Sequence, residues 1–436
     1  MKKLNPLIIT ITDGWAFRYV FSTGAFEFLT SKYKVKIFAS SFYFYKLCDY
    51  KKGEFELYNI EIKNSKITDK VISLKNYIYR NFHGFNISKF YISKLNAFQQ
   101  IVFFLIKPLI TSYGDRIILF LDSLQGFMLR KHIGKFEKEI LYSDKILFLS
   151  PYSKIEVKFL NTLTNPRIKK YFVLPSWDNI YKYHLNDNYF KYIVWGPDQR
   201  DFLSKIGISQ NKIVCLGSIS QFVFNKLRNS DSIKRSLSSN GRMRIMYSTV
   251  TSKIFPEEDQ LVSQLCELIN GEYFGPNVDL LIRLHPADSS SEYKYLESER
   301  VFISGNFMGN NINYWDVAND FFELQVMDIL SSNLIISVAS TMTLDSIILG
   351  RATINYRPAF CVNEKDYYNF EHYSSITNSN GIKIANNFTE LVNLISFYLK
   401  GEFVVDHNMN KSILGATIQH DDSEIENYFK ILFHED

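Results

Sequence analysis

Short apolar runs alternate with longer amphipathic or polar stretches along most of the chain. Residues 7–12 are apolar and end at Asp13-Gly14, residues 17–29 read as a helix, and residues 35–39 are apolar again. That order predicts a βαβ opening and therefore a parallel sheet. Residues 42–110 are aromatic and basic with poor periodicity, and read as helices with an insertion. Strands are then predicted over 117–121, 145–149, 171–174, 192–195 and 213–216, with a short helix over 198–206. These strands end at Asp122-Ser123, Ser150-Pro151, Pro175-Ser176, Gly196-Pro197 and Gly217-Ser218.

A polar, Ser-rich stretch at 229–241 has the composition of a linker. Beyond it the pattern restarts. Strands are predicted over 244–247, 280–284, 334–338, 353–356 and 382–385, and helices over 256–269, 324–330, 340–349 and 388–399. A last helix is expected near 422–433. Short strands with helices between them describe an α/β chain with two doubly wound, Rossmann-like domains. The expected division is 1–230, 241–420, and a terminal segment 421–436 that crosses back to the first domain.

Composition adds little to this. The chain has 436 residues, too many for one core, and is 46% hydrophobic and 22% charged, ordinary for a globular protein. Its 16% aromatic content reads as compositional drift. Four scattered cysteines with no CxxC spacing imply neither a disulfide framework nor a zinc site, and fit a reducing cytoplasm. The N-terminus lacks the long apolar core of a signal peptide. The apolar run 101–110 is interrupted by Lys107 and Pro108 and is well short of the ~20 residues that span a bilayer.

Charge changes the picture more. Residues 1–230 hold 35 Lys+Arg against 17 Asp+Glu, a net +18, whereas residues 231–436 hold 15 against 28, a net −13. The basic half suggests an anionic partner. With no nucleic-acid motif present, the favoured partner is an anionic membrane or a lipid-linked acceptor at its inner face.

Candidate chemistry gathers at strand ends, where open α/β sheets bind ligands. Arg283 and His285-Pro286 close one strand, because a proline cannot continue the ladder. A guanidinium beside an imidazole suits a phosphate; a strand-capping histidine with Arg283 salt-bridged to an acid explains the same residues. Ser340, Thr341 and Thr343 open a helix directly after a strand, which makes either an anion site or a plain N-cap. Asp178, in Pro175-Ser176-Trp177-Asp178-Asn179, is a candidate general base or the head of an Asx turn. Asp13, before Gly14, is the second candidate base or a structural turn. Ser248, Thr249 and Gly217 sit at further strand ends and join the candidate binding set. The chain has no GxxxxGK[ST] loop, no GxGxxG after the first strand, no HExxH, no GxSxG and no compact DxD.

The HP dipeptide after a strand of the second half, the Ser/Thr-rich helix start downstream, and Ser176-Trp177-Asp178-Asn179 with Ile193-Val194-Trp195-Gly196 and Val214-Cys215-Leu216-Gly217-Ser218 resemble GT-B glycosyltransferases. Similar enzymes build capsule, lipopolysaccharide and teichoic acid, including HP-motif sialyl- and Kdo-transferases and CDP-glycerol glycerophosphotransferase-like proteins. His83-Gly84 lacks the flanks of the glycerophosphotransferase dipeptide, and the sialyltransferase acidic-acidic-Gly motif is missing. The resemblance implies two domains facing across a cleft, a CMP- or UDP-type nucleotide-sugar donor, a glycan or lipid-linked acceptor, and no metal or other cofactor. It implies that Arg283, His285, Pro286, Ser340, Thr341, Thr343, Ser248, Thr249 and Gly217 hold the donor, while Asp178 or Asp13 acts as base with His285 at the departing phosphate. The alternatives are a CDP-polyol phosphotransferase, a nucleotide-sugar 2-epimerase, or a non-catalytic binding protein on the same fold.

Overall fold

The computed structural model describes residues 5–48, 50, 53–60, 66–93, 95–129, 140, 142–163, 165–185, 189–230, 241–250, 255–285, 293–305, 321–338, 340–358, 367–377, 382–403, 413, 415 and 425–434. The chain divides into two compact units. Unit 1 is Met1–Ser218 with Phe370–His372 and Ser423–Asp436; unit 2 is Ile219–Asn369 with Tyr373–Asp422.

Unit 1 is built on a seven-stranded sheet in the order β3-β2-β1-β4-β5-β6-β7. The strands are β1 (Pro6–Ile11), β2 (Lys34–Ala39), β3 (Glu56–Asn59), β4 (Lys145–Phe148), β5 (Lys169–Val173), β6 (Lys191–Val194) and β7 (Ile213–Cys215). Every pairing is parallel. Its helices are α1 (Gly14–Phe21), α2 (Ala25–Lys32), α3 (Ser41–Leu47), α4 (Lys66–Phe82), α5 (Asn86–Ser93), α6 (Ala97–Leu129), α7 (Lys154–Thr162), α8 (Asn179–Lys182) and α9 (Pro197–Lys205). The central strands read as continuous apolar runs because helices cover both faces. Aromatic rings fill the space between: Phe38 with Phe159 at 5.5 Å, Phe148 with Tyr189 at 5.6 Å, Phe172 with Tyr192 at 5.4 Å.

Unit 2 begins with α10 (Ile219–Arg228) and carries a six-stranded sheet in the order β10-β9-β8-β11-β12-β13. The strands are β8 (Met243–Ser248), β9 (Val278–Arg283), β10 (Val301–Ser304), β11 (Leu334–Ser337), β12 (Ala352–Tyr356) and β13 (Lys383–Ala385). The helices used below are α11 (Glu258–Asn270), α12 (Phe321–Leu330), α13 (Thr341–Ile348) and α14 (Phe388–Leu399), with α15 (Ile425–His434) belonging to unit 1. All pairings are again parallel. The core is mostly aliphatic, with Val262, Ile282, Val326, Ile329, Ile335 and Ile354 fully buried. In each sheet the strand order reverses once, between β1 and β4 and between β8 and β11. Those two switch points are where such sheets bind ligands.

Several expectations need revising. Residues 117–121 are not a strand but the middle of α6: Ile118, Leu121 and Gln125 are buried while Leu119 and Phe120 are exposed, which is helical spacing. A five-residue apolar run does not distinguish the two periods by itself. The helix expected over 17–29 is two helices, because Gly24 takes a left-handed φ of 82° between α1 and α2. The edge strands β3 and β10 lie in stretches where no strand was read; both are short and partly exposed, so they lack the buried run that marks the central strands. The division falls at Ser218/Ile219, ahead of the polar stretch 229–241. Packing decides this, since α10 lies on α12 with Phe224 and Phe322 at 6.1 Å. The terminal helix α15 lies in unit 1, where the Tyr19 hydroxyl donates to that of Tyr428 (2.8 Å) and Phe429 stacks on Phe28 (5.9 Å).

Candidate active site

In unit 1 the ends of β1 and β4 bring two carboxyls together. Asp13 follows β1 and caps α1, accepting the Ala16 N–H (2.9 Å). Glu156 lies in the first turn of α7 and is fully buried. It accepts the Ser150 N–H on both oxygens (3.2 and 3.1 Å) and the Thr12 hydroxyl (3.0 Å). Ser153 caps α7 by accepting the Glu156 N–H (3.1 Å). Burial pushes the Asp13 carboxyl up, only partly offset by hydrogen bonds from Ser150 and Ala16 and by Arg18. Burial, reinforced by Asp13, pushes Glu156 well above the usual carboxyl range. Both carboxyls are thus shifted upward, Glu156 in part by the charge of Asp13.

Asp178 has a different environment. It binds the Lys182 ammonium, the Ser176 hydroxyl (2.7 Å) and the Asn179 amide (3.3 Å). Burial would raise its carboxyl, but Lys182, His372 and these hydrogen bonds outweigh that and hold it at about 2. Residues Phe370–His372 complete this corner: His372 meets Trp177 edge-on (5.1 Å), and Glu371 accepts the Asn86 N–H (2.5 Å). Burial lowers His372 to about 3, so its ring is neutral. The corner is a satisfied ion pair, and a carboxyl at about 2 is a weak proton acceptor near neutrality.

In unit 2, Arg283, Ser248, Ser337 and Asn355 stand in one register row across β9, β8, β11 and β12. Arg283 is buried and ion-paired with Asp328 of α12, so its guanidinium is engaged within the fold. Thr249 fixes the next residues: its hydroxyl accepts the His285 N–H (2.7 Å), and its own N–H donates to the Arg283 carbonyl (2.9 Å). Burial lowers His285 to about 4, which leaves a neutral imidazole. Ser340 is the N-cap residue of α13, yet its hydroxyl makes no capping bond. Thr343 is fully buried and, with Ser337, donates to the Asn355 amide oxygen (2.9 and 3.2 Å).

The structure therefore brings Ser248, Thr249, His285, Ser340 and Thr341 to one end of the unit 2 sheet, with Thr343 and Arg283 bonded beneath it. Pro286 lies outside the described residues. Gly217 takes a left-handed φ of 80° just before the division at Ser218/Ile219. Two acids were not anticipated. Glu156 was legible as Ser153-x-x-Glu156, a capping-box spacing after a strand end. Asp345, in α13, accepts from the Gln325 amide (2.8 Å) and is raised to about 7 by burial; no sequence signal marks it.

No protein-family model and no curated protein matches the sequence. Solved structures do match over the whole length. A UDP-GlcNAc 2-epimerase from Methanocaldococcus jannaschii aligns at TM-score 0.54 and 12% identity, covering 98% of this chain and 99% of that one. The chain has the GT-B fold. The wall teichoic acid polymerase TagF aligns at 0.51 and 10% identity, covering 100% and 89%. A glycosyltransferase from Rickettsia africae aligns at 0.50 and 11%, covering 98% and 97%. At such identities the likeness establishes architecture and nothing finer.

Proposed function

We propose that this GT-B protein is a glycosyltransferase that moves a sugar from a CMP- or UDP-type nucleotide donor to a hydroxyl of a surface glycan or lipid-linked acceptor, with inversion. The observation that carries the proposal is the placement of Asp13 and the buried Glu156 at the β1/β4 switch point, both with their carboxyls pushed upward. The acceptor oxygen attacks the anomeric carbon as its proton passes to Asp13. The anomeric C–O bond to phosphate breaks, and its electron pair leaves with the nucleotide. Asp13 replaces Asp178 as the favoured base, because its environment raises its basicity while that of Asp178 lowers it. At unit 2, the first turn of α13, the Ser340 and Thr341 hydroxyls and a neutral His285 ring supply donors for the leaving phosphate.

Thermal-shift titration with CMP, CDP, UDP, GDP and dTDP tests donor binding, since a ligand of the native state raises its melting temperature. His285→Ala and Ser340→Ala should each weaken the best nucleotide about tenfold, the loss of one hydrogen bond to a charged group. Unchanged affinity in both variants would sink the phosphate assignment. The whole-chain likeness to a 2-epimerase favours a second reading on the same fold. Donor turnover with no acceptor present would select it. The net +18 of residues 1–230 favours transfer, because an epimerase needs no anionic acceptor.

A further inference from the structure

The 33-residue helix α6 buries one side and leaves a large apolar side in water. Phe103, Ile110, Ile118 and Leu121 are buried, and the helix packs on α4. Outward, Phe98, Phe104, Leu105, Leu119, Phe120 and Phe127 are each 62–74% exposed. Scattered exposed apolar residues are ordinary, but so many large ones on one element mark an interaction surface. The helix bends at Tyr113, next to Gly114, where a Cβ would come within 2.5 Å of the Phe82 ring. With one side held against α4, α6 cannot cross a bilayer, and among the described residues no helix is long and apolar enough to do so.

Charge selects the occupant. On α6 itself the exposed charges are Lys107 and Arg116 against Asp115. Asp69 and Asp122 are engaged by Lys158 and Lys75. Arg116 shares its outward face with Leu119, Phe120, Ser123 and Phe127, at i, i+3, i+4, i+7 and i+11. Two copies meeting through this face would oppose like charges, whereas an anionic lipid surface complements both its charge and its apolar row.

We infer that α6 is an interfacial helix that lies in the plane of an anionic membrane, sinking its exposed Phe and Leu side chains among the acyl chains while Lys107 and Arg116 meet the headgroups. This stands apart from the transfer chemistry, and its test needs neither donor nor acceptor.

The test is cosedimentation of the full chain with phosphatidylcholine vesicles, with and without phosphatidylglycerol. The wild type should bind the phosphatidylglycerol vesicles, bind pure phosphatidylcholine much less, and lose binding as salt rises. Leu105→Glu, and Phe120→Glu with Phe127→Glu, should weaken binding about tenfold or more. Because these positions are solvent-facing, melting temperature and nucleotide binding should not change. Equal binding to both vesicle types, or unaltered binding by the Glu variants, overturns the inference. So does a dimer in sedimentation velocity that the same substitutions dissociate and that ignores vesicles, since a second copy would then cover the face.

Discussion

The two units use one device at their switch points, and the copies differ in what stands beside the carboxyl. In unit 1, Glu156 of α7 ties down the Ser150 N–H, two residues past the end of β4. In unit 2, Glu258 of α11 ties down the Val250 N–H, two residues past the end of β8, with both oxygens at 3.0 Å. Each carboxyl closes the loop between a strand and the next helix, which would otherwise bury an unpaired N–H. Their second neighbours differ. Glu258 receives the Tyr247 hydroxyl (2.9 Å), a neutral donor whose own ionisation is pushed far up by burial and by Glu258. Glu156 has Asp13 nearby instead. A phenol donates a hydrogen bond to its carboxyl, whereas a second carboxyl pushes its neighbour's proton affinity up.

The sharpest way to break this contrast is kinetic. Under the proposed reaction, Asp13→Asn should lower kcat by about 10²–10⁴, the usual contribution of a positioned base, with nucleotide affinity nearly unchanged. Glu156→Gln keeps an acceptor for Ser150 and mimics the protonated acid, so it should stay within a few-fold of wild type. Equal losses in the two variants would dissolve the division of roles. The next effect is on folding. Glu156→Ala and Glu258→Ala should each destabilise by about 1–3 kcal/mol by orphaning a buried N–H, read as matched shifts in urea midpoint. A loss in one unit alone would show that the two are not the same device.

The smallest effect concerns pH. Asp345 is held at about 7 in the fold against 3.8 as its ordinary value, so the folded state binds the extra proton between those limits. Its contribution to stability is complete below about pH 4 and is lost as pH rises through about 7. Asp345→Asn should flatten the stability profile over that window. Asp178 runs the opposite way: held at about 2, it stabilises above about pH 4 and loses that contribution as pH falls toward 2. A profile unchanged by Asp345→Asn would remove the unit 2 acid from consideration.

The strand ends were legible because β1, β4, β8, β9 and β11 are buried on both sides, and continuous apolar runs stand out in a sequence. Helix α14 was placed at its observed bounds for a related reason: its periodic face ends at Asn387, which caps it by accepting the Glu390 N–H. Asp178 and Arg283 were singled out as site candidates; Arg283 does end β9 and Asp178 heads the short helix α8 after β5, but which residues pair with them was not legible. Lys182 and Asp328 claim them, and Asp328 comes from α12, 45 residues away.

By itself the sequence determined the alternation of strands and helices, two α/β halves of opposite charge, and which side chains stand at strand ends. Tertiary structure decided the rest. It placed β4 beside β1, which brought Glu156 within reach of Thr12 across 144 positions and gave Asp13 an acidic neighbour. It turned 117–121 from a strand into part of a helix with an uncovered apolar side. Periodicity records whether a residue is buried and how its own backbone repeats. It does not record which distant segment does the burying, and both proton affinity and surface exposure are set by that neighbour.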